Sequence, residues 1–388
     1  MHERDIVLFG ATGFTGGLTA EYLARHAPDG LRWALAGRSA GRLAAVRNRL
    51  AAIDPGLAGL DLLEADVTDA GSLRPIVEST RVVATTVGPY LELGEQLVAA
   101  CAAAGTDYLD LTGEPEFVDR MYVRHHAAAV ATGARLIHAS GFDSVPHDLG
   151  VLFTVEQLPE GVPLTVRGYV RAGGRPSAGT YHTAITAMAR IPQASLAQLE
   201  RRRVEPRSPR RVASDKRPLR YERSLGAWAL ALPTIDPNVV KRSAAALERY
   251  GPDFSYGHYA AFERLPVAVG AIGGTAALFA LSQLPPARAW LRGRMRSGEG
   301  PSAERRARSW FNVRFVGEGG GRRVVSEVSG GDPGYEETAK MLAESALCLA
   351  QDDLPSSAGQ VTHAVAMGDA LIERLRRQGI SFRVVEAS

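Results

Sequence analysis

The sequence predicts an α/β protein built on a doubly wound parallel sheet, joined to a second α+β domain, with C-terminal helices that return to the first. Three observations carry this expectation. Residues 1–140 alternate short apolar runs with stretches apolar at helical period, the pattern of βαβ units. A glycine-rich turn stands directly between the first apolar run and the first helical stretch. The chain has 388 residues, long for one domain and suited to two, at roughly 150 residues each.

Taken in order, strands are expected at 5–10 (DIVLFG), 31–37 (LRWALAG), 60–65, 81–87 (RVVATTV), 108–111 and 134–139 (ARLIHA). Helical stretches such as LTAEYLARHA, GRLAAVRNRL, GEQLVAACAAAG and EFVDRMYVRHHAAAVATG separate them, the last carrying a His125-His126 pair that reads as solvated. Six strands with intervening helices complete a Rossmann-type domain over 1–147, where ligands bind beyond the carboxyl ends of the strands. The second domain, 148–334, opens with a strand (LTVRGYVRA), a glycine-containing turn and a helix starting near Gly179. Residues 201–223 hold nine arginines and one lysine against three acids, broken by prolines, and read as an exposed loop.

Residues 265–287 carry no charge at all, a run longer than the threshold for a membrane span. Alanine and glycine make up much of the run, and Pro266 and the Pro285-Pro286 pair stand at its ends. A buried helix or acyl-channel wall, a membrane-surface element and a true span all fit. Two strands joined by a GEGGG turn are expected over 309–329. Residues 335–388 should form helices at 335–350 and 362–377 that pack on the first domain.

Composition narrows the class. Hydrophobic residues at 45% and charged residues at 22% exclude a disordered, collagenous or coiled-coil chain. The net charge of +3, from 45 basic and 42 acidic residues, is too even for a nucleic-acid binder. Cys101 and Cys348 lie in Ala/Leu-rich runs, too few for a disulfide framework and in no metal-ligand spacing. With no long apolar core before the first glycine, a cytoplasmic protein is expected, with peripheral membrane contact through 265–287 as the variant. Lysine is limited to Lys216, Lys241 and Lys340, so a catalytic lysine has no candidate in the first 150 residues.

The strongest chemical signal is Gly10-Ala-Thr12-Gly13-Phe14-Thr15-Gly16, which follows a strand and opens a helix. Glycine lets the chain turn tightly and approach a pyrophosphate, and the helix N-terminus offers free N–H groups and positive potential. The second strand ends in Gly37-Arg38-Ser39 with no acid, which favours a ribose 2′-phosphate and hence NADP over NAD. Asp66-Val67, after the third strand, falls at the adenine end or serves as a helix cap. Gly88-Pro89-Tyr90, ending the fourth strand, falls by the nicotinamide or forms a plain strand-ending turn.

Together GATGFTG, AGRS, TTVGPY, GTDYLDLTGE and the 141–150 segment GFDSVPHDLG resemble the saccharopine dehydrogenase-like NADP-binding oxidoreductases. The resemblance is closest to the actinobacterial trans-acting enoyl reductase branch. It continues through GEGPSAERRARSWFNVRFVGEG and GDPGYEETAKMLAESALCLAQDDLP, and fades around 200–225. It implies NADPH as cofactor, the GFDSVPHDLG loop beside the nicotinamide, and a C=C bond in a polyketide- or lipid-type acyl thioester as acceptor. One departure is Val361-Thr362-His363-Ala364, where members of the branch tend to carry a proline.

Hydride transfer leaves the protein to polarise the acceptor and supply a proton. His147 is the first candidate acid, since its ordinary pKa lies near neutrality, with helix capping as its plain alternative. Asp143, which reads as an acceptor for backbone N–H groups rather than as an acid, and Ser144 share its loop; Tyr181 and His182 follow a glycine turn, and Tyr90 is an outsider. No metal constellation is visible in the sequence. Expected partners are the acyl substrate, an acidic acyl carrier protein docking on 201–223, and a second copy in a homo-oligomer. The competing activities are a saccharopine-type imine or ketone reductase and a non-catalytic NADP-bound scaffold.

Overall fold

The computed structural model describes residues 2–174, 177–215, 217–294 and 300–388; Lys216 of the arginine-dense segment and Gly298-Glu299 of the GEGPS motif lie outside them. The first sheet is parallel throughout. Its strands are β1 (Arg4–Phe9), β2 (Trp33–Gly37), β3 (Asp61–Glu64), β4 (Thr80–Thr85), β5 (Asp107–Asp110) and β6 (Arg135–Ile137). A late strand, β14 (Gly359–Val361), adds beside β6 and gives the order β14-β6-β5-β4-β1-β2-β3. The order reverses between β1 and β4, and ligands of such sheets bind at that switch point. The helices α1 (Phe14–His26), α2 (Ala40–Ala51), α3 (Ala70–Glu78), α4 (Tyr90–Leu93), α5 (Glu95–Ala104) and α6 (Pro115–Thr132) connect these strands. Ile6, Leu8, Val82 and Leu109 face one helical layer while Val7, Phe9, Val83 and Tyr108 face the other, so both faces are buried and the strands read as continuous apolar runs.

The second sheet holds eight strands. They are β7 (Leu164–Gly173), β8 (Arg211–Ser214), β9 (Leu219–Glu222), β10 (Ala227–Ala231), β11 (Asp253–Phe262), β12 (Trp310–Gly319), β13 (Arg322–Gly330) and β15 (Ser381–Ala387). Helices α7 (Val145–Val155), α8 (Ala178–Ala189), α9 (Ile191–Val204), α10 (Asp236–Ala246), α11 (Leu265–Gln283), α12 (Pro285–Arg292) and α13 (Ala303–Arg306) surround or interrupt it. The long α14 (Glu336–Gln351) crosses back onto α1, β4 and β5, and α15 (His363–Ala366) and α16 (Gly368–Arg377) complete the chain. The expected single helix over 362–377 is broken at Met367, and Thr362 caps its first turn by accepting from Val365 N. The final strand, β15, was not expected.

Three sequence expectations are corrected here. The 201–223 segment is not one exposed loop: it ends α9 and then forms β8 and β9, which pair with β11 and β10. Arg201 is buried, stacked on the Tyr122 ring at 3.8 Å and bonded to Gln360 and Glu205, with Asp119 3.4 Å away. Arg210 donates to the Ala244 and Ala245 carbonyls. The 265–287 run is no buried helix, since Ala268 and Ser282 are the buried residues of α11. His126 is not solvated either; its Nδ1 accepts from Gln360 N at 3.0 Å, anchoring β14.

Candidate active site

The site begins at the turn between β1 and α1. Gly10 has φ +89°, and a Cβ there would lie 2.4 Å from Thr86 Oγ1 at the end of β4. A Cβ on Gly16 would lie 2.1 Å from the Gly10 carbonyl oxygen, so the helix closes on the turn only because both are glycine. Gly13 differs: its Cβ would touch nothing nearer than that same oxygen at 3.4 Å, leaving its outer side open. No side chain caps α1, so the N–H groups of its first turn are left for a ligand, reinforced by the helix dipole. An open glycine at an uncapped helix N-terminus fits a dinucleotide pyrophosphate. Thr12 is exposed, and Phe14, Thr15 and Gly16 line the cleft beyond.

At the other end of the site, Arg38 is exposed at the mouth of β2, and Ser39 caps α2 by accepting from Arg42 N. The Asp66 side chain accepts from Thr68 N and Oγ1 at 2.9 and 2.8 Å, which holds its carboxyl below the usual range, with a smaller contribution from the Arg38 charge. Asp66 is therefore a turn-former whose charge is met by Arg38. Val67 is buried in the core. None of Arg38, Ser39, Asp66 and Val67 lines the cleft.

That cleft, about 550 Å³, runs from the glycine turn past Gly88-Pro89-Tyr90 to the loops after β5 and β6 and to the start of α14. Tyr90 is a strut: its hydroxyl donates to the Thr85 carbonyl and accepts from Leu111 N, and burial pushes its pKa far up. Asp110 ties the next two loops together. Its Oδ1 accepts from Thr112 N and Ala139 N at 3.0 Å each, and Oδ2 meets His138 Nδ1 at 2.6 Å. The LTGE segment thereby brings Gly113 and Glu114 to the cleft wall. Glu114 accepts from Leu91 N at 2.8 Å, yet burial raises its pKa to about 7. Sequence reasoning assigned Glu114 no role, because only the fold buries it.

The GFDSVPHD loop divides its side chains between the cleft and the interior. Asp143 lines the cleft, and a Cβ on Gly113 would sit 3.9 Å from its Oδ2. Burial, assisted by the Asp236 charge, raises the Asp143 pKa. Ser144 is fully buried and donates its N–H to the Ala139 carbonyl at 2.6 Å. His147 points away from the cleft: it is 1% exposed, packed edge-on to Phe142 and His258, with Nε2 3.8 Å from Asp236 Oδ1. Burial lowers its pKa to about 4, so the expected acid is neutral at pH 7, and it does not line the cleft. Asp148 joins α7 to α10 and α15 through Ser243 Oγ and Ala364 N.

The fold also assembles what no sequence spacing displays. His147, Asp236 and His258 place their ligand atoms within 4.8 Å of one another, all buried, a set of the kind that could hold a cation such as zinc. His258 Nε2 lies 3.4 Å from Asp236 Oδ2. The arrangement keeps a carboxylate behind Asp143.

Helix α8 forms the opposite wall. Gly179, His182, Thr183 and Thr186 line the cleft at helical spacing, so Tyr181 lies on a neighbouring face and does not. Of the two adjacent sequence candidates, His182 is the one that lines the cleft. Asp332, Tyr335 and Thr338 close it from the second-sheet side, the Tyr335 ring standing edge-on to Phe14 at 4.9 Å.

Glu114 provides a stability test. Its folded pKa of about 7 exceeds its ordinary 4.5, so its contribution is fully present below pH 4.5 and is lost as pH rises to 7. Glu114→Gln, which still accepts from Leu91 N, should therefore stabilise the protein at pH 8 by about 2–3 kcal/mol and leave it unchanged near pH 4. Denaturant melts at the two pH values check this; equal effects at both would show that ionisation is not the cause.

A glycine turn at the switch point of a 3-2-1-4-5-6 sheet, beside a second mixed sheet, is the arrangement of a dinucleotide-binding oxidoreductase. Residues 6–137 match the saccharopine dehydrogenase NADP binding domain. A Mycobacterium tuberculosis protein described as a candidate trans-acting enoyl reductase is 38% identical over 98% of this chain and 97% of its own. The trans-acting enoyl reductase of Mycobacterium ulcerans is 35% identical over 97% of both chains. The apo saccharopine dehydrogenase (L-Glu forming) of Saccharomyces cerevisiae shares the fold, with a TM-score of 0.57 at 12% identity over 99% of this chain and 100% of that one. The chain belongs to the trans-acting enoyl reductase family of saccharopine dehydrogenase-like oxidoreductases. It is an enzyme, and the reading as a non-catalytic scaffold is set aside.

Proposed function

We propose that the protein is an NADPH-dependent enoyl reductase acting on the C=C bond of a polyketide- or lipid-type acyl thioester. The observation that carries this is the charge of the cleft. Its described lining includes the carboxyls of Glu114, Asp143 and Asp332 and no arginine or lysine; Arg175 lies outside the described residues. Saccharopine, a charged amino-acid adduct, needs cations to bind its carboxylates, whereas an enoyl thioester is neutral. The dinucleotide, when bound, supplies a hydride to the β-carbon of the double bond.

This chain's own residues do the rest. Gly13 and the N-terminus of α1 hold the pyrophosphate, and Arg38 meets the 2′-phosphate. Asp143, kept protonated toward neutrality, delivers the proton to the α-carbon, with Glu114 as the second carboxyl able to hold one. Ser144 and His147 support the loop from behind. Of the arginine-dense segment, Arg202, Arg203, Arg207, Arg211, Arg217 and Arg223 remain exposed and would meet an acidic carrier protein.

The test is to follow NADPH oxidation with a trans-2-enoyl thioester, a free ketone and an imine. Deuterium from labelled cofactor should appear at the β-carbon of the thioester product; turnover of the imine alone would overturn the reading. For the cofactor, Arg38→Asp should weaken NADPH binding by roughly 10²-fold, the loss of one charge-assisted phosphate contact plus repulsion, and leave NADH little changed. Fluorescence titration of both cofactors checks this, and equal affinities in the unmutated protein would refute the preference.

A further inference from the structure

Helix α11 is apolar around its whole circumference, yet Ala268 and Ser282 alone among its residues are buried. Val267, Val269, Ile272, Phe279 and Leu281 stand exposed, and a Cβ at Gly270, Gly273 or Gly274 would meet nothing within 4 Å. A helix hydrophobic on every side is normally covered by protein or by lipid. The charge around it says which. From Glu263 to Glu299 the chain carries five arginines against two acids, which stand at the two ends of that stretch. Arg264 is exposed, and the exposed Arg294 stacks 4.0 Å from the ring of the exposed Trp290, a pairing of cation and aromatic that suits a lipid headgroup layer. A second copy docking through the same face would bring these like charges together.

Topology excludes a crossing. β11 precedes α11, β12 follows it, and both pair with β7, so the chain leaves and returns on one side of the sheet. The excursion also borders the cleft at both ends. α11 packs on α8, where Gln283 Nε2 donates to the Met188 carbonyl at 2.9 Å, and Gly300 returns against the Phe14 ring at the glycine turn.

We infer that α11 and α12 seat the enzyme on an anionic lipid bilayer, with α11 in the acyl layer, Trp290, Arg264 and Arg294 among the headgroups, and the cleft beside the surface. Docking itself does not depend on the reaction; that it delivers an acyl substrate rests on the enoyl reductase reading. Flotation of the full chain with vesicles, in the absence of substrate, therefore tests the docking separately. Vesicles of phosphatidylcholine with one-third phosphatidylglycerol should bind at least tenfold more protein than phosphatidylcholine alone, and high salt should remove most of that difference. Val269→Glu with Phe279→Glu should abolish flotation while thermal melting and NADPH binding stay unchanged, because both side chains are exposed. No flotation with either vesicle, equal flotation with both, or a dimer that the same double variant splits would overturn the proposal.

Discussion

Gly13→Val is expected to abolish dinucleotide binding while the protein stays folded. The contrast among the three glycines of the turn makes this specific. At Gly10 and Gly16 an added Cβ would lie 2.4 and 2.1 Å from Thr86 Oγ1 and the Gly10 carbonyl oxygen, so those substitutions should unfold or distort the first domain. At Gly13 the nearest atom would be 3.4 Å away, a contact that a small shift relieves. The valine branches would instead occupy the open side, where a phosphate must come within hydrogen-bond distance of the uncapped helix. A loss of at least ~10²-fold in affinity, about 2.7 kcal/mol, is the expected scale. Titration with NADPH beside a thermal melt checks both halves. Retained binding at unchanged affinity would mean that the pyrophosphate lies elsewhere.

How much of this was legible in the sequence depended on how local the determining contacts are. The central strands of the first sheet announce themselves because β1, β2 and β4 are buried on both faces, so their runs are apolar whatever surrounds them. The three residues of β14 and the mostly exposed β15 carry no such run; their partners, β6 and β13, lie far back in the chain. Arg201 sits in a run that looks solvated, and only the approach of Asp119 and Gln360 draws it inside. The glycine turn was readable as a site because strand, turn and helix are consecutive. The wall opposite was not. Tyr181 and His182 are adjacent in sequence but about 100° apart around a helix, so which one faces the cleft follows from how α8 docks. Likewise Asp236 and His258 reach His147 only through α10 and β11, so its burial beside them was not legible in the sequence.

The same buried cluster gives the second large expected effect. If Asp143 delivers the proton, Asp143→Asn should reduce kcat/KM by ~10²–10⁴-fold, the usual contribution of a positioned acid, with little change in NADPH affinity. Asp236 should act through it. The Asp236 carboxylate, held between His147 and His258, disfavours a second negative charge on Asp143 and so raises its pKa. An acid must be protonated to donate, so activity falls as pH rises through that pKa. Asp236→Asn removes the charge, lowers the Asp143 pKa, and should move the alkaline limb of the kcat/KM profile to lower pH by on the order of one unit. At pH 6 the variant should retain most of its activity; near pH 8 the loss should be several times larger. A purely structural role for Asp236 would lower activity by the same factor at every pH. A limb that does not move would take the proton away from Asp143 and leave Glu114, whose environment contains neither histidine, as the carboxyl to test next.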